Sequence, residues 1–229
     1  MNDFHLKFHP DKLDGSLHVG LIPDGGRRWA KKNNVSLNKS YSITRDLVLE
    51  FTKYFFSVGV NEVSVYLSSA QNFRRTDEEI GSFTDVASNA ISNEIINLAN
   101  LLHFKVNIIG DKSSLPLDLI LFLQENNNKV GDNCAGNMNL CISYNPIEEL
   151  SNAIRMSKGE NDFLDYLWVK KPLDLVIRSG GANLTSNFLP LQSGFARLYF
   201  LDELFNDVSM ASIKKIMESF LNLDRKFGE

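Results

Sequence analysis

Short apolar runs alternate with segments of helical periodicity along almost the whole chain, and that alternation leaves few folds open. Residues 18–22, 60–67, 105–109, 139–143, 173–177 and 197–200 each read as a strand. Ile43, Leu47, Phe51, Tyr54 and Phe55 recur at helical spacing and predict a helix over 42–58, which Gly59 ends. Further helices are predicted near 24–30 and over 77–102, 117–126, 146–156 and 209–221. Strands separated by helices pair in parallel, because the helical crossover returns the chain to the same end of the sheet. The prediction is an α/β fold: a single domain over 17–229 with a central, mostly parallel sheet of about six strands flanked by helices. Residues 1–16 are polar and read as a mobile leader.

Composition narrows the partners. The formal charge is −4, which argues against a broad nucleic-acid-binding surface but leaves room for a local basic pocket. No apolar run approaches the roughly 18 residues of a membrane span. Nor does the N-terminus carry a signal-peptide core, so the cytoplasm is the expected location. Cys134 and Cys141 fit neither a CxxC redox pair nor a zinc site and read as buried small hydrophobes.

In a parallel α/β sheet, ligands bind beyond the C-terminal strand ends. Three polar clusters stand at such ends. The first is Pro23-Asp24-Gly25-Gly26-Arg27-Arg28-Trp29. Its glycines let backbone N–H groups approach a ligand, a helix start adds partial positive charge, and two arginines add forked donors. Asp24 could hold Mg²⁺ against a diphosphate. The ordinary alternative is a solvated turn before a basic helix end. The second cluster is Ser68-Ser69-Ala70-Gln71-Asn72-Phe73-Arg74-Arg75, which equally suits a polar helix-capping loop. The third is Arg178-Ser179-Gly180-Gly181 followed by Thr185-Ser186-Asn187-Phe188, a candidate anion nest or a plain Gly-rich turn. Together they point to a phosphorylated ligand. The chain also holds 16 phenylalanines, of which Phe73, Phe188 and Phe195 are candidates to line an apolar cavity beside it.

In this order and spacing the clusters resemble the cis-prenyltransferase family, whose best-known member is undecaprenyl diphosphate synthase. Asp24 to Ala30 resembles the family's DGNGRWA-like motif. Residues 67–76 resemble its FSxENWxRP-like motif, and 177–200 its IRTGGxxRxSNFLxWQxxYAELYF-like motif. Residues 225–228 resemble its terminal RxG element, so the likeness spans about 17–228.

The resemblance implies a catalytic domain with an apolar tunnel, usually in a homodimer. It implies Asp24 as the Mg²⁺ ligand and Gly25, Gly26, Arg27, Arg28 and Trp29 as the phosphate cradle. Asn72 and Arg75 match positions that assist ionisation and proton removal or bind diphosphate, with Ser68, Ser69 and Phe73 beside them as substrate-binding residues. Arg178 and Ser186 match ligands of a second diphosphate, and Arg225 and Gly228 an element reaching a neighbouring subunit.

The departures are informative too. Chain-elongating members carry Gly-His where Ser40-Tyr41 stands here, and an arginine where Leu37 stands. Leu184 replaces the second arginine of the third motif, and Ala70 or Gln71 the glutamate of the second. Arg197 replaces a glutamate that joins the aspartate around Mg²⁺; it either turns out of the site as an outward-facing strand residue or points inward onto the diphosphate, which would weaken Mg²⁺ dependence. Pro-Asp-Gly-x-Arg-Arg-Trp, Ser-Ser-Ala-x-Asn, Tyr41 and Phe188-Leu189-Pro190-Leu191 are similar to the cyclolavandulyl and lavandulyl diphosphate synthase branch. That branch implies condensation of dimethylallyl diphosphate units, with isopentenyl or geranyl diphosphate as other candidate substrates. Two alternatives stay open: cyclisation of a single prenyl diphosphate, and a non-catalytic subunit supporting an active homologue.

Overall fold

The computed structural model describes residues 16–69, 86–87, 89, 91–113, 115, 117–130, 134–159 and 162–222. Six strands form one sheet: β1 Leu17–Ile22, β2 Val60–Tyr66, β3 Phe104–Ile109, β4 Gly136–Cys141, β5 Leu175–Arg178 and β6 Arg197–Phe200. Their order is β3-β4-β2-β1-β5-β6, and every pair is parallel. Six helices accompany them among the described residues: α1 Gly26–Asn33, α2 Leu37–Ser57, α3 Ile96–Leu102, α4 Leu117–Val130, α5 Pro146–Met156 and α6 Met210–Leu221. The α/β reading and its parallel sheet therefore stand.

Most boundaries agree with periodicity, and the differences have local causes. The helix predicted from residue 42 starts at Leu37, because the Ser36 hydroxyl accepts from the Lys39 N–H and caps it. The four residues after Leu37 are polar or aromatic, so the apolar period does not reach back to that cap. Strand β4 starts three residues before the predicted 139, since Gly136 packs against the Asn61 carbonyl. The predicted helix over 77–102 is broken where described: Ile91–Ile95 is wound as π-helix, and α3 follows it.

The sheet divides the core. Val19, Leu21, Val63, Val65, Val106, Met138, Leu140 and Ile177 face a large cluster with α2, α3 and α6. Ile22, Ile109, Cys141 and Val176 face a smaller one built by Tyr144, Val169, Leu173, Phe188 and Leu189. Beside it, side chains of four strands form a polar ladder. His18 Nε2 lies 2.8 Å from Ser64 Oγ, Asn139 donates to Ser64 and Glu62, and Asn107 donates to Asn139. Complete burial lowers the His18 pKa to about 3, so its imidazole is neutral. Cys141 is buried as expected, whereas Cys134 is half-buried.

Candidate active site

Strands β1 and β5 end side by side, with Ile22 in register with Arg178. The turn after β1 is pinned to the start of the turn after β5. The Asp24 N–H donates to Ser179 Oγ at 3.1 Å, and that hydroxyl donates back to the Asp24 carbonyl at 3.0 Å. The Phe205 N–H reaches the same carbonyl at 3.0 Å. Gly25 then turns with φ 114°, and a Cβ there would sit 2.8 Å from Leu204. Only glycine meets both demands. Helix α1 starts directly after with Gly25 as its N-cap, so the positive end of its dipole stands at this turn.

The Arg178 side chain is buried at the base of this turn. Its Nη1 donates to the Leu184 carbonyl and to Ser186 Oγ, both at 2.7 Å, and its Nη2 donates to Asp24 Oδ2 at 2.9 Å. Arg28 Nη2 stands 3.3 Å from the other Asp24 oxygen. This guanidinium lies against Gly180, where a Cβ would come within 2.6 Å of Nη2 and where φ is 90°. Tyr66, at the end of β2, donates to the Ser186 carbonyl at 3.1 Å and stacks on Phe188 at 5.0 Å. Burial raises the Tyr66 pKa, which keeps the hydroxyl a donor. Ser186 is thus held from two sides.

The turn after β1 and the start of α1 line one end of a cavity of about 320 Å³. Asp24, Gly25, Gly26, Arg27 and Arg28 line it, with Tyr41, Thr44 and Arg45 of α2 opposite. Beyond the mouth its walls are aliphatic: Val48 and Leu49 of α2, Leu67, and Val86, Ala87, Ile91 and Ile95. The volume lies near the small end of the roughly 300–1,000 Å³ typical of small-molecule sites. A polar mouth with helix-end amides and arginines, opening on aliphatic walls, matches a ligand with an anionic head and an apolar tail.

The structure gathers Asp24, Gly25, Gly26, Arg27, Arg28, Arg178 and Ser186 at this end of the sheet. Other expected site residues are not gathered. Trp29 turns away and donates to Asp207 Oδ1 at 2.6 Å, so it braces α1. Ser68 is buried with its hydroxyl accepting from the Ser143 N–H, so it joins two strand ends instead of meeting a ligand. Ser69 bridges to Tyr144 and hydrogen-bonds Tyr66.

Arg197 is the clearest correction. It pairs with Leu175 at the opposite end of β5 from Arg178, three residues away, or about 10 Å along the strand. It is exposed there, so within one chain it does not meet the Asp24 carboxylate. The phenylalanines are corrected as well: Phe188 is fully buried in the second core cluster and Phe195 is exposed, while aliphatic residues line the cavity. Asn72, Phe73, Arg75, Arg225 and Gly228 lie outside the described residues. Sequence reasoning missed Thr44, Arg45 and Tyr66; the spacing of 41, 44, 45, 48 and 49 along one face of α2 was the available signal for the first two.

Residues 22–228 match the model of a family described as putative undecaprenyl diphosphate synthase. The chain belongs to this family of prenyltransferases. Among curated relatives, an isoprenyl transferase of Treponema denticola is 29% identical over 94% of this chain and 98% of its own length. A tritrans,polycis-undecaprenyl-diphosphate synthase (geranylgeranyl-diphosphate specific) of Sulfurisphaera tokodaii is 28% identical over 92% of this chain and 87% of its own length. Among solved structures, lavandulyl diphosphate synthase of Lavandula x intermedia, in complex with dimethylallyl diphosphate, superposes with a TM-score of 0.83. That match is 25% identical and covers 93% of this chain and 98% of the other.

Enzymes of the undecaprenyl diphosphate synthase family are generally Mg²⁺-dependent, and the donor set here fits such an ion in one way. No group of three or more His, Cys, Asp or Glu stands together among the described residues. Asp24 is one carboxylate, its side chain 34% exposed at the cavity mouth, with both oxygens facing arginines. One carboxylate plus diphosphate oxygens and water is a common Mg²⁺ arrangement. Binding would require Arg28 or Arg178 to pass from Asp24 to the diphosphate.

Proposed function

We propose that this protein is a short-chain prenyl diphosphate synthase that joins two dimethylallyl diphosphates irregularly, in the manner of lavandulyl diphosphate synthase. One observation carries the reading: the whole cavity, anion-binding mouth and aliphatic walls together, measures about 320 Å³ among the described residues. A chamber of that size suits five- or ten-carbon tails. The likeness to the dimethylallyl-bound lavandulyl enzyme supports it, as do Leu37 and Tyr41 where chain-elongating members carry arginine and histidine.

The chemistry follows from the groups at the mouth. The C–O bond of one allylic diphosphate breaks, and both its electrons leave with pyrophosphate. The α1 amides, Arg27 and Arg28 stabilise that growing negative charge, because fixed donors in a dry site need no reorganisation. Mg²⁺ held by Asp24 would neutralise part of the same charge. The alkene of the second dimethylallyl unit attacks the allylic cation, and loss of a proton restores neutrality. Arg178 and Ser186 hold the second diphosphate close enough for that attack. Asn72 and Arg75 assist ionisation and proton removal, and Arg225 and Gly228 complete the site. The enzyme works in the cytoplasm as a homodimer. Its β6 edge, with Leu184, Leu191, Phe195 and Leu198 exposed around it, is the apolar face that a second copy would cover.

Incubation of the purified protein with dimethylallyl, isopentenyl and geranyl diphosphates, singly and in pairs, tests the reading by mass spectrometry. Dimethylallyl diphosphate alone should yield pyrophosphate and a ten-carbon diphosphate. Products that lengthen by five carbons in the presence of isopentenyl diphosphate would replace this reading with chain elongation.

A further inference from the structure

Helix α2 and the helical segment carrying Ile91 and Ile95 form two walls of the aliphatic chamber. Arg45 joins them. It lines the cavity one helical turn from Tyr41 and from Leu49, at the border between polar mouth and aliphatic interior. Its Nη1 stands 3.1 Å from Glu94 Oε1, across the gap from α2 to the π-helical turn Ile91–Ile95. The guanidinium is held in place from its other side: Nε and Nη2 lie 2.9 and 2.8 Å from Asp46 Oδ1.

Two further observations mark the contact. The second Glu94 oxygen is buried and has no hydrogen-bond partner among the described residues, so Glu94 leans on Arg45 for compensation. The helix also departs from α geometry at this turn, and π-turns inside helices concentrate at functional positions.

We propose that the Arg45–Glu94 ion pair sets the prenyl chain length that this cavity admits. The inference rests on reading the cavity as a prenyl site. The pair acts twice. It ties the walls together, so widening the chamber requires breaking a charge–charge contact. It also places the Arg45 guanidinium on the cavity wall: an apolar tail lying against it would strip water from that charge and return no hydrogen bond. A short tail avoids that cost and a longer one meets it.

The test replaces the pair with apolar side chains. The double variant Arg45→Met/Glu94→Leu removes both charges of the pair, and the Asp46 carboxylate that loses Arg45 is solvent-exposed; such exchanges are commonly neutral in stability. Calorimetry then compares the binding of thiolodiphosphate analogues with five-, ten- and fifteen-carbon tails to wild type and variant, and initial rates compare the matching substrates. Lys129→Ala, which removes an exposed pair with Glu125 on α4, serves as the control for generic ion-pair loss. The preference for ten- and fifteen-carbon tails over five should rise about tenfold in the double variant, the scale at which apolar pockets discriminate. It should stay unchanged in the control. An unchanged tail preference in a folded double variant that still binds the analogues overturns the inference alone. A wild type that binds none of the three analogues overturns the prenyl reading itself and the inference with it.

Discussion

Asp24 faces the buried guanidinium of Arg178 and also stands at the cavity mouth, so its removal should show two separable effects. The Arg178 side chain is 8% exposed and the Asp24 side chain 34%. Breaking a fully buried pair costs about 3–5 kcal/mol. Solvent at Asp24 and the two acceptors that Arg178 keeps, Leu184 O and Ser186 Oγ, reduce this to about 1–2 kcal/mol. For a chain of this size that lowers Tm by about 2–8 °C. Asp24→Ala should therefore remain folded at 25 °C. Its turnover should fall by a factor on the order of 10²–10³ or more, the usual effect of losing one fixed electrostatic contact to a transition state. Asp24→Asn separates the two effects. The amide oxygen still accepts from Arg178, so most of the Tm returns, but the negative charge that would hold Mg²⁺ is gone and turnover stays low. The assay pairs differential scanning calorimetry with initial rates across a Mg²⁺ series that includes a chelator. An Asn variant that turns over at near the wild-type rate, with an unchanged Mg²⁺ response, would refute the role given to Asp24.

Two other predictions concern the frame of the site. The folded-state pKa of His18 lies below its unfolded value of 6.5, at about 3, because burial penalises the imidazolium. The unfolded chain therefore takes up a proton that the native state refuses. Stability is greatest above pH 6.5 and falls as pH drops toward 3, by up to about 5 kcal/mol. Urea midpoints of wild type minus His18→Gln, measured from pH 7 to 3.5, should show this slope, and parallel curves would disprove it. Gly180→Ala places a methyl against Arg28 at a φ of 90°, costing about 1–3 kcal/mol and displacing that guanidinium. KM for the allylic diphosphate should rise several-fold, and an unchanged KM would show that Arg28 does not touch the substrate.

The periodicity of 41, 44, 45, 48 and 49 and the apolar runs of the six strands are local signals. Period 2 or 3.6 is written into neighbouring residues and needs no partner to be read. For that reason the sequence alone determined the parallel α/β sheet, the placement of the Asp24–Arg28 turn at a strand end, and the family. Residue types were legible as well: glycines beside arginines and an aspartate announce an anion site wherever they stand. Register and contact were decided by packing. Asp24 and Arg178 are separated by 154 residues in sequence and 2.9 Å in space, a closeness set by the pairing of β1 with β5. The same strand register carries Arg197 away from them, although it lies only 19 positions from Arg178 along the chain, because three residues of strand rise lie between their levels in the sheet. Ser68 and Trp29 were spent on hydrogen bonds that only the folded chain could offer. The aliphatic lining of the cavity, and the Arg45–Glu94 bridge across it, arise where two helices separated in sequence come to share one wall-to-wall gap, and no local pattern records the width of that gap.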